Sequence, residues 1–268
     1  MRTVSIPANI LKHWQLNVAD ASNIDTVRIR VQALLKGEPE VSVVIPAYNE
    51  EESIIQTLSS ISDNVTDRSV EIIVVDNNSK DATNKLATAA GVNCIQETTQ
   101  GITPARNRGL SEAKGKYILN ADADSIYPPD WIEEMIKPLA KNDSDVALTY
   151  GRFSFIPVGN TGRTTYFFYE YIAEFSRWIN KTFREEAVNV YGFNSGFRRL
   201  QGLEVGSFNH PPGTNEDGFL AMKLRNKGFG KLHCVKKSKA RVWTTDRRLQ
   251  IDGGLWKATK KRVKRMVS

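Results

Sequence analysis

Val41-Ser-Val-Val-Ile-Pro-Ala-Tyr-Asn-Glu50 opens the regular part of the chain: an apolar run, Val41 to Ile45, passes straight into a polar cluster, Pro46 to Glu50. Runs of the same kind recur at Ile72 to Val75, Val92 to Ile95, Tyr117 to Leu119 and Val146 to Leu148, separated mostly by segments of helical period. Continuous apolar strands alternating with helices predict an α/β fold around a mixed, mostly parallel central sheet flanked by helices. The helix starts are signed. Asn49 followed by Glu52 has the form of a cap, and Asp81 precedes Ala82 to Ala90, which stops at Gly91. In such sheets ligands bind at the carboxyl ends of the strands. The residues there are Pro46-Ala-Tyr-Asn-Glu50, Asp76-Asn-Asn-Ser79 and Asn120-Ala-Asp-Ala-Asp124.

Outward from this core the pattern changes. Before residue 40 the period is irregular, with Ile10-Leu11 and Val27, Ile29, Val31, Leu34 hinting at short elements, so 1–40 reads as an N-terminal arm and 41–248 as the main domain. Phe153 to Phe197 is rich in aromatics, including Tyr166-Phe-Phe-Tyr169, Tyr171, Phe175, Trp178 and Phe183, interrupted by Glu170, Glu174 and Arg177. Those charges rule out a spanning helix; a core-packing helix and an acceptor- or lipid-facing groove both fit. Residues 249–268 form a basic tail. Residues 231–268 carry 13 Lys and Arg against Asp246 and Asp252, a balance of +11, whereas residues 1–230 carry −4, giving +7 for the 268-residue chain. An anionic partner for the tail follows, a membrane surface among the choices. Trp256, Val263 and Met266-Val267 stand at near-helical spacing among cations, as in a helix that lies on a membrane surface or packs one stripe on the body.

The composition, 40% apolar and 25% charged, is that of a globular protein. Two distant cysteines, Cys94 and Cys234, exclude a disulfide framework and a Cys-based zinc site and favour a reducing compartment. No apolar run reaches the roughly 18 residues that cross a bilayer, and Met1 to Ile10 lacks a secretory pattern, so a cytoplasmic location is expected. No GxxxxGK[ST], GxGxxG, HExxH or GxSxG occurs, which removes P-loop, dinucleotide-binding, zincin and serine-hydrolase chemistry. Nor is any nucleic-acid motif present.

Carboxylates are left to carry the chemistry. Asp122 and Asp124 follow the strand Tyr117 to Leu119, and in extended backbone residues two apart face the same side, so their oxygens can converge on Mg²⁺ or Mn²⁺ with a diphosphate completing the shell. Asp143-Ser-Asp145 has the same spacing but precedes a strand and reads as a surface turn. Asp76 is either a turn former or a carboxylate that accepts from a base or ribose. Glu50 suits a first helical turn or a ligand on the same rim. Arg106 fits either phosphate oxygens or support of an aspartate. Asn215-Glu-Asp-Gly218, before Phe219 to Leu224, reads on its own as a helix start.

Together these segments resemble the family 2 glycosyltransferases of the GT-A fold. The resemblance rests on Val41 to Glu50, Ile73 to Thr83, Ala105-Arg-Asn-Arg-Gly109 with Ala113 to Tyr117, Ala121-Asp-Ala-Asp-Ser125, Gly192-Phe-Asn-Ser-Gly-Phe-Arg198 and Asn215 to Gly218, in order over residues 41–248. It implies an inverting transfer of one sugar from a nucleoside diphosphate sugar, a UDP-sugar foremost, to a hydroxyl of a glycan or lipid-linked acceptor, assisted by Mn²⁺ or Mg²⁺. By the same resemblance Pro46, Ala47, Tyr48, Glu50, Asp76, Asn78 and Arg106 hold the nucleoside. Asp122 contacts ribose or metal, Asp124 binds metal and Asp217 is the general base. Asn194, Arg198 and Glu216 line the donor-sugar and acceptor side. The QxxRW motif of processive members is replaced by Thr244-Thr-Asp-Arg-Arg248, which implies single addition; Arg247 and Arg248 either close over the diphosphate or belong to the tail. A polyprenyl-phosphate glycosyltransferase, and a non-catalytic protein that binds sugar nucleotides or anionic surfaces, are the alternatives.

Overall fold

The computed structural model describes residues 3–260 apart from 252, 256 and 258, with the side chain of Arg248 also outside the description. The strand Val41–Ala47 (β1) lies at its centre. It pairs in parallel with Val70–Asp76 (β2) on one side and Tyr117–Asn120 (β4) on the other, and Asn93–Gln96 (β3) joins β2 in parallel. Beyond β4 the sheet continues with Ser195–Arg198 (β8), antiparallel to both its neighbours, then Val146–Gly151 (β6) and Lys231–Val235 (β9), which are parallel to each other. The order is β3-β2-β1-β4-β8-β6-β9, the mixed and mostly parallel sheet the apolar runs predict.

Why β1 and β2 lack polar alternation is visible in their packing. Val41, Val43 and Ile45 face one apolar layer with Ile72 and Val74, while Val44, Ile73 and Val75 face the other. A strand covered on both faces has no solvent side on which to place polar residues. The helices Ile54–Ser62 (α3) and Thr83–Ala89 (α4) contribute to the first layer, and Ile102–Glu112 (α5) contributes to the second. In α5 the helix passes so close to the sheet that a Cβ on Gly109 would stand 2.3 Å from Val44 Cγ1, which explains a glycine inside a helix. Two further strands, Ser125–Ile126 (β5) and Phe153–Ile156 (β7), form a small second sheet with Val242–Thr245 (β10) in the order β5-β10-β7.

Two expectations need correction. The segment 1–40 is no irregular arm: Ala8–Trp14 (α1) and Ala21–Leu34 (α2) are helices, with Ile10, Val27, Val31 and Leu34 buried in the body and Asp20 capping α2 by accepting from the Ser22 N–H at 2.9 Å. Asn49 does not cap α3. It sits at φ +53° with its side chain accepting from the Lys80 N–H, and α3 starts only after Ser53. The aromatic segment forms Arg163–Phe183 (α7), which packs on the body with one face only. The remaining helices are Trp131–Ala140 (α6), Arg199–Glu204 (α8), Glu216–Asn226 (α9) and Arg247–Ile251 (α10). Of the proposed tail helix, Trp256, Ala258 and residues 261–268 lie outside the described residues. No helix among the described residues is long and apolar enough to cross a membrane.

Candidate active site

The carboxyl ends of β1 and β4 open into a cleft of about 730 Å³, within the range of small-molecule sites. Pro46, Ala47, Tyr48 and Glu50 line it from the end of β1, and Asn77, Gln100 and Gly101 line it from beyond β2. Asn77 holds these loops together. Its Nδ2 donates to the carbonyls of Glu97 and Thr99 at 3.0 and 2.7 Å, and its Oδ1 accepts from the Gly101 N–H at 2.7 Å. Asp76 and Asn78, expected beside the nucleoside, do not line the cleft: Asp76 is buried and accepts from the Ser79 N–H at 3.1 Å, while Asn78 takes the left-handed turn at φ +68°.

Arg106, on α5, is the centre of the charge arrangement. Its guanidinium is 2% exposed and lies 3.0 Å from Asp122 Oδ1, 3.4 Å from Asp217 Oδ1 and 4.0 Å from Glu216 Oε1. The close approach of these groups depends on Gly192, where a Cβ would stand 2.0 Å from Arg106 Nη2 and 2.5 Å from Asp217 Oδ2. Asn215 caps α9 by accepting from the Gly218 N–H at 2.7 Å. The cap therefore leaves Glu216 and Asp217, both lining the cleft, free of that duty. Burial pushes the Asp217 carboxyl up to about 7 against the pull of Arg106, and the negative neighbours Glu216 and Asp122 add to the rise. Asp217 Oδ1 is buried and makes no hydrogen bond, its contact being the ion pair with Arg106 at 3.4 Å, so it retains capacity to accept from a donor brought into the cleft.

Asp122 and Asp124 both line the cleft, from the short connection between β4 and β5, with Asp124 in a turn. Each is held differently: Asp122 by Arg106, and Asp124 by the Thr245 hydroxyl at 3.1 Å and Arg247 Nη2 at 3.2 Å. Arg247 also bonds Glu50, whose carboxyl is raised chiefly by burial. Thus α10 brings Arg247 onto the carboxylates of the cleft, and Arg248 has no described side chain. Among the described residues no three or more His, Cys, Asp or Glu converge as a metal cage. Two hard oxygen donors on a cleft wall nevertheless suit Mn²⁺ or Mg²⁺, which commonly take their remaining ligands from phosphates and water.

Two residues expected at the sugar side are placed elsewhere. Asn194 is 1% exposed, accepts from Trp131 Nε1 at 2.9 Å and donates to the Arg152 carbonyl at 2.9 Å. Arg198 donates to the carbonyls of Val146 and Leu139 at 2.7 and 2.8 Å. Both tie β8 to its surroundings and leave no group for a ligand. Aromatic rings line the cleft instead: Phe153, Phe155, Tyr191 and Phe193, with Tyr169 from the aromatic run noted in the sequence. Phe153 meets Tyr191 and Phe193 edge to face at 5.3 and 5.1 Å. Their clustering on β7, α7 and the segment before β8 is tertiary, and only the local density of aromatics hinted at it.

Residues 42–200 match the sequence pattern of "Glycosyl transferase family 2". A dolichol-phosphate mannosyltransferase of Pyrococcus furiosus is 37% identical over 114 residues, 41% of this chain and 32% of that protein. Glycosyltransferase GlyA of Streptococcus pneumoniae is 23% identical over 237 residues, 77% of this chain and 32% of that one. The chain thus spans about a third of the length of these relatives. Among solved structures, a mannosyltransferase from Pyrobaculum calidifontis in complex with GDP-Man and Mn²⁺ superposes with a TM-score of 0.57 at 20% identity, covering 88% of this chain and 68% of that one. Glucosyl-3-phosphoglycerate synthase from Mycobacterium tuberculosis, in complex with Mn²⁺, UDP and phosphoglyceric acid, gives 0.57 at 21% identity, covering 91% and 82%. At these identities the likeness is one of fold.

Proposed function

The chain belongs to glycosyl transferase family 2, and on that premise we propose that its cleft transfers a single sugar from a nucleoside diphosphate sugar, UDP its foremost carrier, to a hydroxyl of a glycan or lipid-linked acceptor with inversion at the anomeric carbon. The observation that supports this reading is the buried Oδ1 of Asp217, ion-paired with Arg106 at 3.4 Å but without a hydrogen bond, in the same cleft as Asp122 and Asp124.

The residues divide the work as follows. Pro46, Ala47, Tyr48 and Asn77 form the rim against which the nucleoside lies. Asp122 and Asp124 would hold Mn²⁺ or Mg²⁺, which when bound neutralises the charge of the departing diphosphate. Arg247, paired with Glu50 and Asp124 at the cleft edge, is placed to pass to the diphosphate oxygens once Asp124 is engaged otherwise. Asp217 Oδ1 accepts the hydrogen of the acceptor hydroxyl and takes the proton as the oxygen attacks the anomeric carbon. A carboxyl raised toward neutral pH is a better proton acceptor than one at its ordinary value. Arg106 keeps Asp217 oriented and limits the rise, since a carboxyl raised further would be protonated and useless as a base. The rings of Phe153, Phe155 and Tyr191 give sugar carbons an apolar face to rest on and exclude water from the donor.

The test is the configuration of the product made from an α-linked donor, read by the anomeric proton coupling in NMR. A β-linked product agrees with one displacement; an α-linked product refutes it. The similarity to a dolichol-phosphate mannosyltransferase favours one further reading, a lipid phosphate acceptor. A phosphate oxygen is already ionised and needs no base, so Asp217→Asn would spare that transfer and abolish the transfer to a hydroxyl.

A further inference from the structure

Arg106 and Asp217 reach each other from two different helices, α5 and α9, so their spacing depends on how those helices are tied together. After α8 the chain turns through Gly206 at φ +79° and Ser207 at φ +55°. A left-handed serine is a conformation that its surroundings must impose. Lys223, half-buried on α9, supplies the hold. Its ammonium donates to the carbonyls of Gly206, Ser207 and Asn209 at 3.3, 2.6 and 3.0 Å, so all three of its donors are taken by one short stretch of main chain.

The same stretch is gripped from α5. Asn107, next to Arg106, accepts from the Phe208 N–H at 2.9 Å through Oδ1 and donates from Nδ2 to Asn209 Oδ1 at 2.9 Å. One turn earlier, Thr103 Oγ1 and His210 Nε2 hydrogen-bond at 3.1 Å. Residues 206–210 are therefore a staple, fixed to α9 by Lys223 and to α5 by Asn107 and Thr103. Phe208 projects from the middle of it, 1% exposed, with its ring centre 5.8 Å from Arg106 Cζ and Phe197 behind it edge to face at 6.0 Å. A ring at that distance attracts a guanidinium and limits where it can lie. Arg106 in turn stands 3.4 Å from Asp217 Oδ1. We propose that Lys223 is a positioning residue for the transfer: through the 206–210 staple and Phe208 it fixes α9 against α5, so that Arg106 keeps Asp217 where the acceptor hydroxyl arrives. The inference rests on the assignment of Asp217 as the base. Lys223, Asn107 and Phe208 do not line the cleft, so they act only through the residues that do.

Two variants test it: Lys223→Met, which keeps the stem and removes the three donors, and Asn107→Ala, which opens the staple from α5. Hydrogen exchange of the main-chain amides over residues 206–221 is expected to quicken at least about fivefold in both, with β1 and β2 unchanged. Release of nucleotide from UDP-glucose and GDP-mannose, with water as the acceptor, gives the rate. For Lys223→Met kcat is expected to fall about tenfold while the KM for the donor stays within about twofold, since a displaced base slows the chemical step and leaves donor binding intact. Added to Asp217→Asn, Lys223→Met is expected to change the residual rate by less than about twofold, because the group it positions is already gone. Should Lys223→Met not fold, Asn107→Ala carries the same comparisons. Unchanged exchange overturns the proposal, as does a loss that lies wholly in KM. An equal fractional loss in the wild-type and Asp217→Asn backgrounds also overturns it, since the staple then serves stability alone and Asp217 keeps its role. An Asp217→Asn variant as fast as the wild type, or a wild type that releases no nucleotide from either donor, would instead defeat the assignment of the base, and this inference falls with it.

Discussion

Replacing Gly192 by Ala perturbs the centre of the site without touching a charged residue. The new Cβ would meet Arg106 Nη2 at 2.0 Å and Asp217 Oδ2 at 2.5 Å, where ordinary contact begins at 3.4 Å. A flexible arginine on a surface would step aside at little cost. Arg106 is 2% exposed and bonded to Asp122 at 3.0 Å, so it has nowhere to go. To restore contact Nη2 must retreat about 1.4 Å, the difference between 3.4 and 2.0 Å. A hydrogen bond of 3.0 Å has roughly half an ångström of slack before it ceases to count as one. The loss of a charged hydrogen bond, with some overpacking, puts the cost at about 2–4 kcal/mol. Misplacing the groups around the reacting atoms by an ångström should slow transfer by about 100-fold. Urea unfolding gives the first figure and initial rates of sugar transfer the second. Gly162→Ala is the control, since a Cβ there meets nothing within 4 Å. If Gly192→Ala costs less than about 0.5 kcal/mol and leaves the rate within about threefold, the crowding of Arg106 and Asp217 does not organise this site.

Two further outcomes follow from titratable groups. Asp217→Asn should lower transfer to a hydroxyl by about 10²–10⁴-fold with nucleotide affinity unchanged; since burial raises this carboxyl to about 7, the wild-type rate should climb as pH rises through that value, and the variant's residual rate should lack that limb. His13 is buried beside Ser59, at 2.8 Å from its hydroxyl, and burial lowers it to about 4. The unfolded chain then binds a proton that the folded chain refuses, so stability present above about pH 6.5 is lost as pH falls toward 4; urea unfolding at a series of pH values should show up to roughly 3 kcal/mol of this loss, absent in His13→Gln.

The sheet was legible because parallel strands covered on both faces need unbroken apolar runs, and β1, β2 and β4 have them. Their carboxyl ends likewise announced where polar residues would gather, and Asp122, Asp124, Arg106 and Asp217 do meet in one cleft. What sequence could not reveal is set by contacts between distant segments. β8 is only Ser195–Arg198, and its place between β4 and β6 comes from Asn194 and Arg198 bonding to Trp131, Arg152, Val146 and Leu139. Those residues therefore resemble ligand groups in sequence while serving the sheet in the structure. α2 was obscured by Ile29, exposed on its outer side, which blurred the spacing of Val27, Val31 and Leu34, although Asp20 and Ser22 signal its start. Aromatic density around α7 was evident, but which rings enter the cleft and which face outward depends on where the helix lies against β7.

The central claim is that this cleft binds a nucleoside diphosphate through Asp124 and a divalent metal. The most direct test is the melting temperature of the wild type and of Asp124→Ala with UDP, GDP, CDP and dTDP, each with and without Mn²⁺, since a ligand that binds only the folded state raises it. The account predicts a rise for one nucleotide, UDP foremost, that requires Mn²⁺ in the wild type and vanishes in a folded Asp124→Ala. A rise that persists unchanged without metal or in Asp124→Ala, or no rise with any nucleotide, would contradict it.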